Sequence, residues 1–143
     1  MTVVFSKKCE VAIQAVLFLS AQDIGVLFNA KDIAERMKLP KEFVSKILQT
    51  LTSNGIIGSR KGKNGRFYLH KHPEKVFLVD IVEAIDGLDV FHRCILGFEG
   101  CTSSQPCPVH DEWGKLRELT LEMLKNHSLA EIKDKTISKI ESL

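Results

Sequence analysis

No apolar run in this sequence approaches the roughly 20 residues that a bilayer-spanning helix needs. The first residues, Lys7-Lys8-Cys9-Glu10 running into an amphipathic stretch, do not read as a cleavable signal. A cytoplasmic chain with no membrane partner is therefore expected. The low hydrophobicity of disordered chains is also missing: of 143 residues, 44% are hydrophobic and 27% charged, so a packed core can form. The tight Cys-x2-Cys knuckles common in zinc sites are absent. Net charge is small, at +2.

That small total hides an uneven distribution. Between Lys38 and Lys71 stand eight basic residues (Lys38, Lys41, Lys46, Arg60, Lys61, Lys63, Arg66, Lys71) and one acid, Glu42, giving the segment +7 and leaving the remainder at −5. A one-sided basic block in a near-neutral chain is the footprint of a polyanion-binding surface, although such runs also occur as solvated faces.

The hydrophobic pattern around the block is helical. Ser6 is a fitting N-cap for a helix running to Ala21, with Ala12, Ala15, Val16 and Leu19 at core spacing. Asn29 and Asp32 open a short second helix, buried through Ile33, Ala34 and Met37, that must stop near Pro40. Pro40 then serves the first turn of a third helix. Its Phe43, Val44, Ile47, Leu48 and Leu51 turn inward, and Lys41, Glu42, Ser45, Lys46 and Gln49 turn outward. Asn54-Gly55 supplies a left-handed stop. Helix, short helix, helix and glycine stop is the helix-turn-helix pattern.

Beyond it, Ile56-Ile57 and Phe67-Tyr68-Leu69 are short β-prone runs on either side of Lys61-Gly62-Lys63-Asn64-Gly65, whose Asn-Gly pair signals a basic hairpin. Another helix is expected over Val79 to Ile85, and a long one from about His110 to His127, striped by Trp113, Leu116, Thr120, Met123 and Leu124. The expected fold is mainly α with a small β-hairpin wing (α+β), a winged helix-turn-helix with a long C-terminal dimerisation helix. It divides into a DNA-binding domain at 1–87, a cysteine-rich loop at 88–109, and a dimerisation helix with a tail at 110–143. A homodimer is expected because such proteins generally read two half-sites with two-fold symmetry.

Three of the four cysteines fall in that loop, as Cys94-x6-Cys101-x5-Cys107, with His110 close behind. In a reducing compartment clustered cysteines indicate metal or redox chemistry rather than disulfides. Thiolates suit soft metals, and a loop containing Gly97, Gly100, Ser103, Ser104, Pro106 and Pro108 can wrap sulfurs around one centre. The wide spacing favours an iron-sulfur cluster, in which a histidine can replace one cysteine. Zinc, a thiol sensor and an unliganded loop remain open alternatives. His92 is either a spare ligand or solvent-facing, and Cys9, far off in the first helix, reads as a small buried apolar residue. Only Cys107 and His110 stand near enough in sequence to resemble a nucleophile and its base, and no enzyme is expected.

From Phe5-Ser6-Lys7-Lys8 to Leu129-Ala130-Glu131-Ile132, the chain resembles the iron-sulfur-responsive winged-helix repressors of the IscR and NsrR type. The resemblance is carried most specifically by Asn54-Gly55-Ile56-Ile57-x-Ser59, the wing from Lys61 to Gly65, the stretch from Val79 to Gly87, and Cys107-Pro108-Val109-His110-Asp111-Glu112-Trp113. It implies a winged-helix dimer that contacts a double-stranded DNA operator through the third helix and wing, at Lys41, Glu42, Ser45, Lys46, Gln49, Arg60, Lys61, Lys63 and Arg66. It also implies a cluster, 2Fe-2S in the first place and 4Fe-4S as the alternative, on Cys94, Cys101 and Cys107. His110 matches the fourth ligand of one branch of the family, and Glu10, reaching across from the opposite subunit, that of the other. Departures are Lys61 for the family's wing arginine, Lys63 for its proline, Arg66 for its last wing glycine, Ser45 for an operator-discriminating glutamate, and six rather than five residues in the first cysteine interval. The rival function, an electron-transfer or cluster-carrier protein, would need the same cysteines but no basic helix-wing surface. A zinc- or thiol-based regulator with the same fold is the other alternative.

Overall fold

The computed structural model describes residues 4–22, 25–61 and 65–141, the side chains of 136–138, 140 and 141 excepted. Gly62, Lys63 and Asn64, the tip of the expected wing, lie outside the described residues.

Helix α1 (Lys7–Ser20) starts where its cap allows: Ser6 is extended, and its hydroxyl accepts the Cys9 N–H at 3.1 Å. Strand β1 (Phe28–Asn29) ends on the residue that caps α2 (Ala30–Met37), the Asn29 side chain accepting from the Asp32 N–H at 2.8 Å. Helix α2 stops at Lys38, held left-handed at φ +56°, and the Leu39 N–H turns back to the Ala34 carbonyl. Pro40 precedes α3 (Lys41–Ser53) as its cap residue. The exit from α3 runs through Gly55 at φ +75°, a conformation that glycine adopts without steric cost, and the Ile56 N–H returns to the Leu51 carbonyl.

That exit corrects the expected strands. Ile56 and Ile57 are buried, but they lie in the bend leaving the helix and drop into the core, so β2 begins later, at Gly58–Arg60, and β3 is Arg66–Tyr68. The two pair antiparallel with Ser59 opposite Phe67 and Arg60 opposite Arg66. Strand β1 pairs with the far side of β3, Phe28 opposite Phe67, so the wing is part of a three-stranded sheet in the order β1-β3-β2.

A 3-10 turn at Pro73–Lys75 leads to α4 (Leu78–Ile85), in which Asp80 accepts the Phe77 N–H at 2.9 Å. A second turn at Asp89–Phe91 precedes the cysteine loop, α5 follows over His110–Asn126, and α6 covers Leu129–Glu141. Helix α6 returns to α1. Leu129 is fully buried, its N–H donates to the Val76 carbonyl at 2.8 Å, and the Leu78 N–H donates to the His127 carbonyl at 3.1 Å.

Burial divides into two clusters. The larger joins α1, α2, α3, the sheet, Ile81 and Leu129. A smaller one gathers Cys9, Val82, Phe91 and Leu124, fastening α5 to α1 and α4. The expected stripe on α5 is thereby split: Leu124 is buried, while Leu116 and Met123 stand exposed at 56% and 46%, joined by Leu119 at 64%. Among the described residues no helix is long and apolar enough to cross a membrane.

Candidate DNA-binding surface and cysteine centre

On α3, Lys41, Glu42, Lys46 and Gln49 are exposed and Ser45 is half-buried, with the Gln49 amide donating to the Ser45 hydroxyl at 3.3 Å. The core residues Val44, Ile47, Leu48 and Leu51 hold the opposite side, so burial fixes which face is presented. Arg60, Lys61 and Arg66 of the wing are exposed as well. Gln49, Thr52 and Ser53 of α3 share a cleft with Ser59, Arg60 and Lys61. Arg60 and Arg66 stand directly opposite on paired strands, an arrangement of like charges that costs free energy until a polyanion neutralises it.

Two residues of this surface escaped the sequence reading. The Arg60 guanidinium lies 5.7 Å from the centre of the Tyr68 ring, a cation-π distance. Tyr68 in turn crosses β2 at Gly58, where an added Cβ would fall 2.5 Å from the ring. A lone glycine entering a strand signals close approach, but not what approaches.

The loop between α4 and α5 brings its three thiols together. The donor atoms of Cys94, Cys101 and Cys107 lie within 4.8 Å of one another, with 3.6 Å between the sulfurs of Cys94 and Cys107. His110, at the start of α5, joins them through Cys101, its Nδ1 being 3.2 Å from that sulfur. The loop folds this way through local ties. The Gly97 N–H donates to the Cys94 carbonyl, Thr102 and Gln105 exchange backbone hydrogen bonds, and the Cys107 N–H donates to the Cys101 sulfur. Trp113, one turn along α5 from His110, pins the loop's entry with an indole N–H to the Arg93 carbonyl at 2.9 Å.

Partial withdrawal from water pushes the Cys94 thiol up, but hydrogen bonds from the Phe98 and Leu96 backbone and from Cys107 and Cys101 outweigh it and bring it down to about 7. Withdrawal from water, reinforced by Cys94 and Cys101, raises Cys107. One thiolate is thus favoured in a group of three, the condition for taking up a soft metal at neutral pH. Cys9 is different: fully buried and beside Asp86, it is pushed up to about 12, first by burial and then by that carboxylate. It takes no part in the thiol group. His92 is exposed, and so is Glu10, which forms a surface pair with Lys7.

A three-helix unit with a basic strand pair beside its third helix, carrying a separate thiol centre, has the architecture of a DNA-binding regulator with a sensing site. Over residues 5–135 the chain matches, and belongs to, the Rrf2 family, described as iron-dependent transcriptional regulators. It is 28% identical over 131 residues, 90% of each chain, to an Aquifex aeolicus (strain VF5) protein provisionally named an HTH-type transcriptional regulator. To the HTH-type transcriptional regulator IscR of Yersinia enterocolitica it is 30% identical across 71% of this chain, and it spans only 61% of that protein's length. Among solved structures, CymR, the global cysteine regulator of B. subtilis, superposes with a TM-score of 0.74 at 20% identity, over 92% of this chain and 97% of that one. IscR of T. potens superposes at 0.69 and 24%, over 93% and 88%. These likenesses establish the winged-helix fold. The relatives are regulators rather than enzymes or electron carriers.

Proposed function

We propose that this chain is a cytoplasmic, homodimeric repressor whose affinity for a double-stranded DNA operator is set by an iron-sulfur cluster held by Cys94, Cys101, Cys107 and His110. The observation that carries the reading is the convergence of three thiols, with an imidazole against one of them, in a member of an iron-dependent regulator family. Three thiols and one imidazole could hold zinc as well as a 2Fe-2S centre; the wide cysteine spacing without Cys-x2-Cys knuckles and the relatives named IscR support the cluster. When bound, the cluster supplies a redox- and ligand-sensitive charge. The chain's own residues do the rest: Lys41, Glu42, Ser45, Lys46 and Gln49 face the groove from α3, and Arg60, Lys61, Lys63 and Arg66 grip the flanking phosphates.

The functional regions follow the divisions 1–87, 88–109 and 110–143, with α6 of the last region folded back onto α1. Leu116, Leu119 and Met123 present an apolar face of α5 that a second copy covers. His110 is preferred over Glu10 as fourth ligand because it already touches Cys101, whereas Glu10 is paired with Lys7 at the surface.

The test is purification without oxygen, with iron and sulfide counted and the visible spectrum recorded, followed by salt titrations against duplexes selected from a random-sequence pool. Expected are a visible chromophore that requires all three cysteines and binding that weakens steeply with salt. A colourless protein that binds one zinc, or a flat salt response, overturns the reading.

A further inference from the structure

Arg117 lies two turns along α5 from His110, on the face that also carries Trp113, and its side chain lines the same cavity as Cys94, Cys101, Cys107 and His110. One end of its guanidinium is spoken for, Nη1 donating to the Phe91 carbonyl at 3.1 Å. Its Nε is buried with no hydrogen-bond partner, and Arg117 forms no ion pair among the described residues. A guanidinium cannot shed its proton to relieve this, and a buried unpaired donor on a charged group costs free energy. The residues lining the cavity include no carboxylate, and Arg93 adds a second fixed positive charge. The cavity therefore sets fixed positive charge beside the three thiols.

We infer that Arg117 is the counter-ion of the cysteine-bound cluster, a positioning residue whose cavity-lining guanidinium, tied to the Phe91 carbonyl and in no ion pair among the described residues, balances the negative charge that the three thiolates bring. This rests on the cluster reading above. With an imidazole as the fourth donor, three thiolates outnumber the two positive charges of an oxidised 2Fe-2S or 4Fe-4S core, leaving the centre net negative, and one-electron reduction deepens that charge. A fixed cation beside it favours the reduced state and so raises the reduction potential. Because the same guanidinium holds the Phe91 carbonyl, at the end of the turn that follows α4, it also fixes where the centre sits relative to the DNA-binding core.

The experiment compares wild type, Arg117→Lys and Arg117→Met, each loaded with iron and sulfide without oxygen, by optical redox titration and iron counting, with circular dichroism melts of the unloaded proteins alongside. Arg117→Met should shift the reduced-to-oxidised ratio at fixed potential about tenfold toward oxidised, equivalent to about 59 mV for one electron. Arg117→Lys should recover most of that shift, since it keeps the charge and loses only the fork. An Arg117→Met protein that loads normally with the wild-type potential overturns the inference and leaves the cluster reading intact, even if its melt is lowered. A wild type that binds no iron overturns both. Should Arg117→Met not fold, Arg117→Gln decides instead, since it removes the charge but keeps a donor for the Phe91 carbonyl: a potential lowered to a similar extent supports the counter-ion role, and the wild-type potential overturns it.

Discussion

The DNA-binding half and the cysteine loop are held together by different means. Around α3, side chains such as Val44, Leu48 and Leu51 are fully buried, and helix ends are closed by Ser6, Asn29 and Gly55. In the loop, Ile95, Leu96 and Phe98 are exposed at 50%, 53% and 59%, and the chain is ordered by polar ties, two left-handed glycines and the thiols themselves. The first region is specified by burial, which needs only water. The second relies on polar ties and three thiols, so under the proposed cluster reading its stability is coupled to what it binds.

The contrast is most directly broken by truncation. Leu48→Ala should cost the unloaded protein about 2–5 kcal/mol in a urea titration, from lost burial and the cavity left behind, whereas Phe98→Ala should stay within about 0.5 kcal/mol. Equal costs would mean that the loop is packed as tightly as the core. Next in size is assembly. Met123→Asp places a charge on the exposed face of α5, and sedimentation should show the proposed dimer weakened at least about tenfold, with the monomer's melting curve little changed. An unaltered dimer would assign that face to solvent.

Cys9 separates the two regions by pH. Its folded-state thiol is raised above the unfolded value of 9.0, so the stability it contributes is complete below pH 9 and is lost as pH rises toward about 12. In that window the slope approaches, at most, about 1.4 kcal/mol per pH unit. Cys9→Ala should flatten it in alkaline denaturation. The smallest effect is electrostatic: Lys61→Ala should reduce the salt slope of DNA binding by about 0.9 and weaken all duplexes alike, whereas Gln49→Ala should mainly relax sequence preference.

The same contrast governs what the sequence reveals. Ser6, Asn29 and the buried face of α3 were readable because caps and 3.6-residue periodicity are local. Strand β1 was not: two residues, Phe28 and Asn29, have no period, and their partner β3 lies almost forty positions away. From sequence, strand β2 reads as beginning at Ile56 and Ile57, but these are apolar for the core rather than for a sheet. Helix α6 reads from sequence as a tail, since its burial depends on meeting α1. At the cysteine centre, residue type and spacing point to Cys94, Cys101 and Cys107 and the family resemblance adds His110, and the structure brings all four together. Arg117 carried only a faint signal, its seven-residue offset from His110, because a charged residue on a helix is ordinarily solvated.

The backbone bonds joining Val76 to Leu129 and Leu78 to His127 have a consequence for how the molecule is made. They close the sensing segment as an excursion from the core, so the last wall of α1 arrives roughly sixty residues after the wing. At a synthesis rate of about 5–20 residues per second this is a delay of several seconds. Through that interval α1 waits with an apolar flank uncovered, and the DNA-reading unit seals only after the whole thiol loop has emerged. The order of birth thus ties a finished reader to a finished sensor.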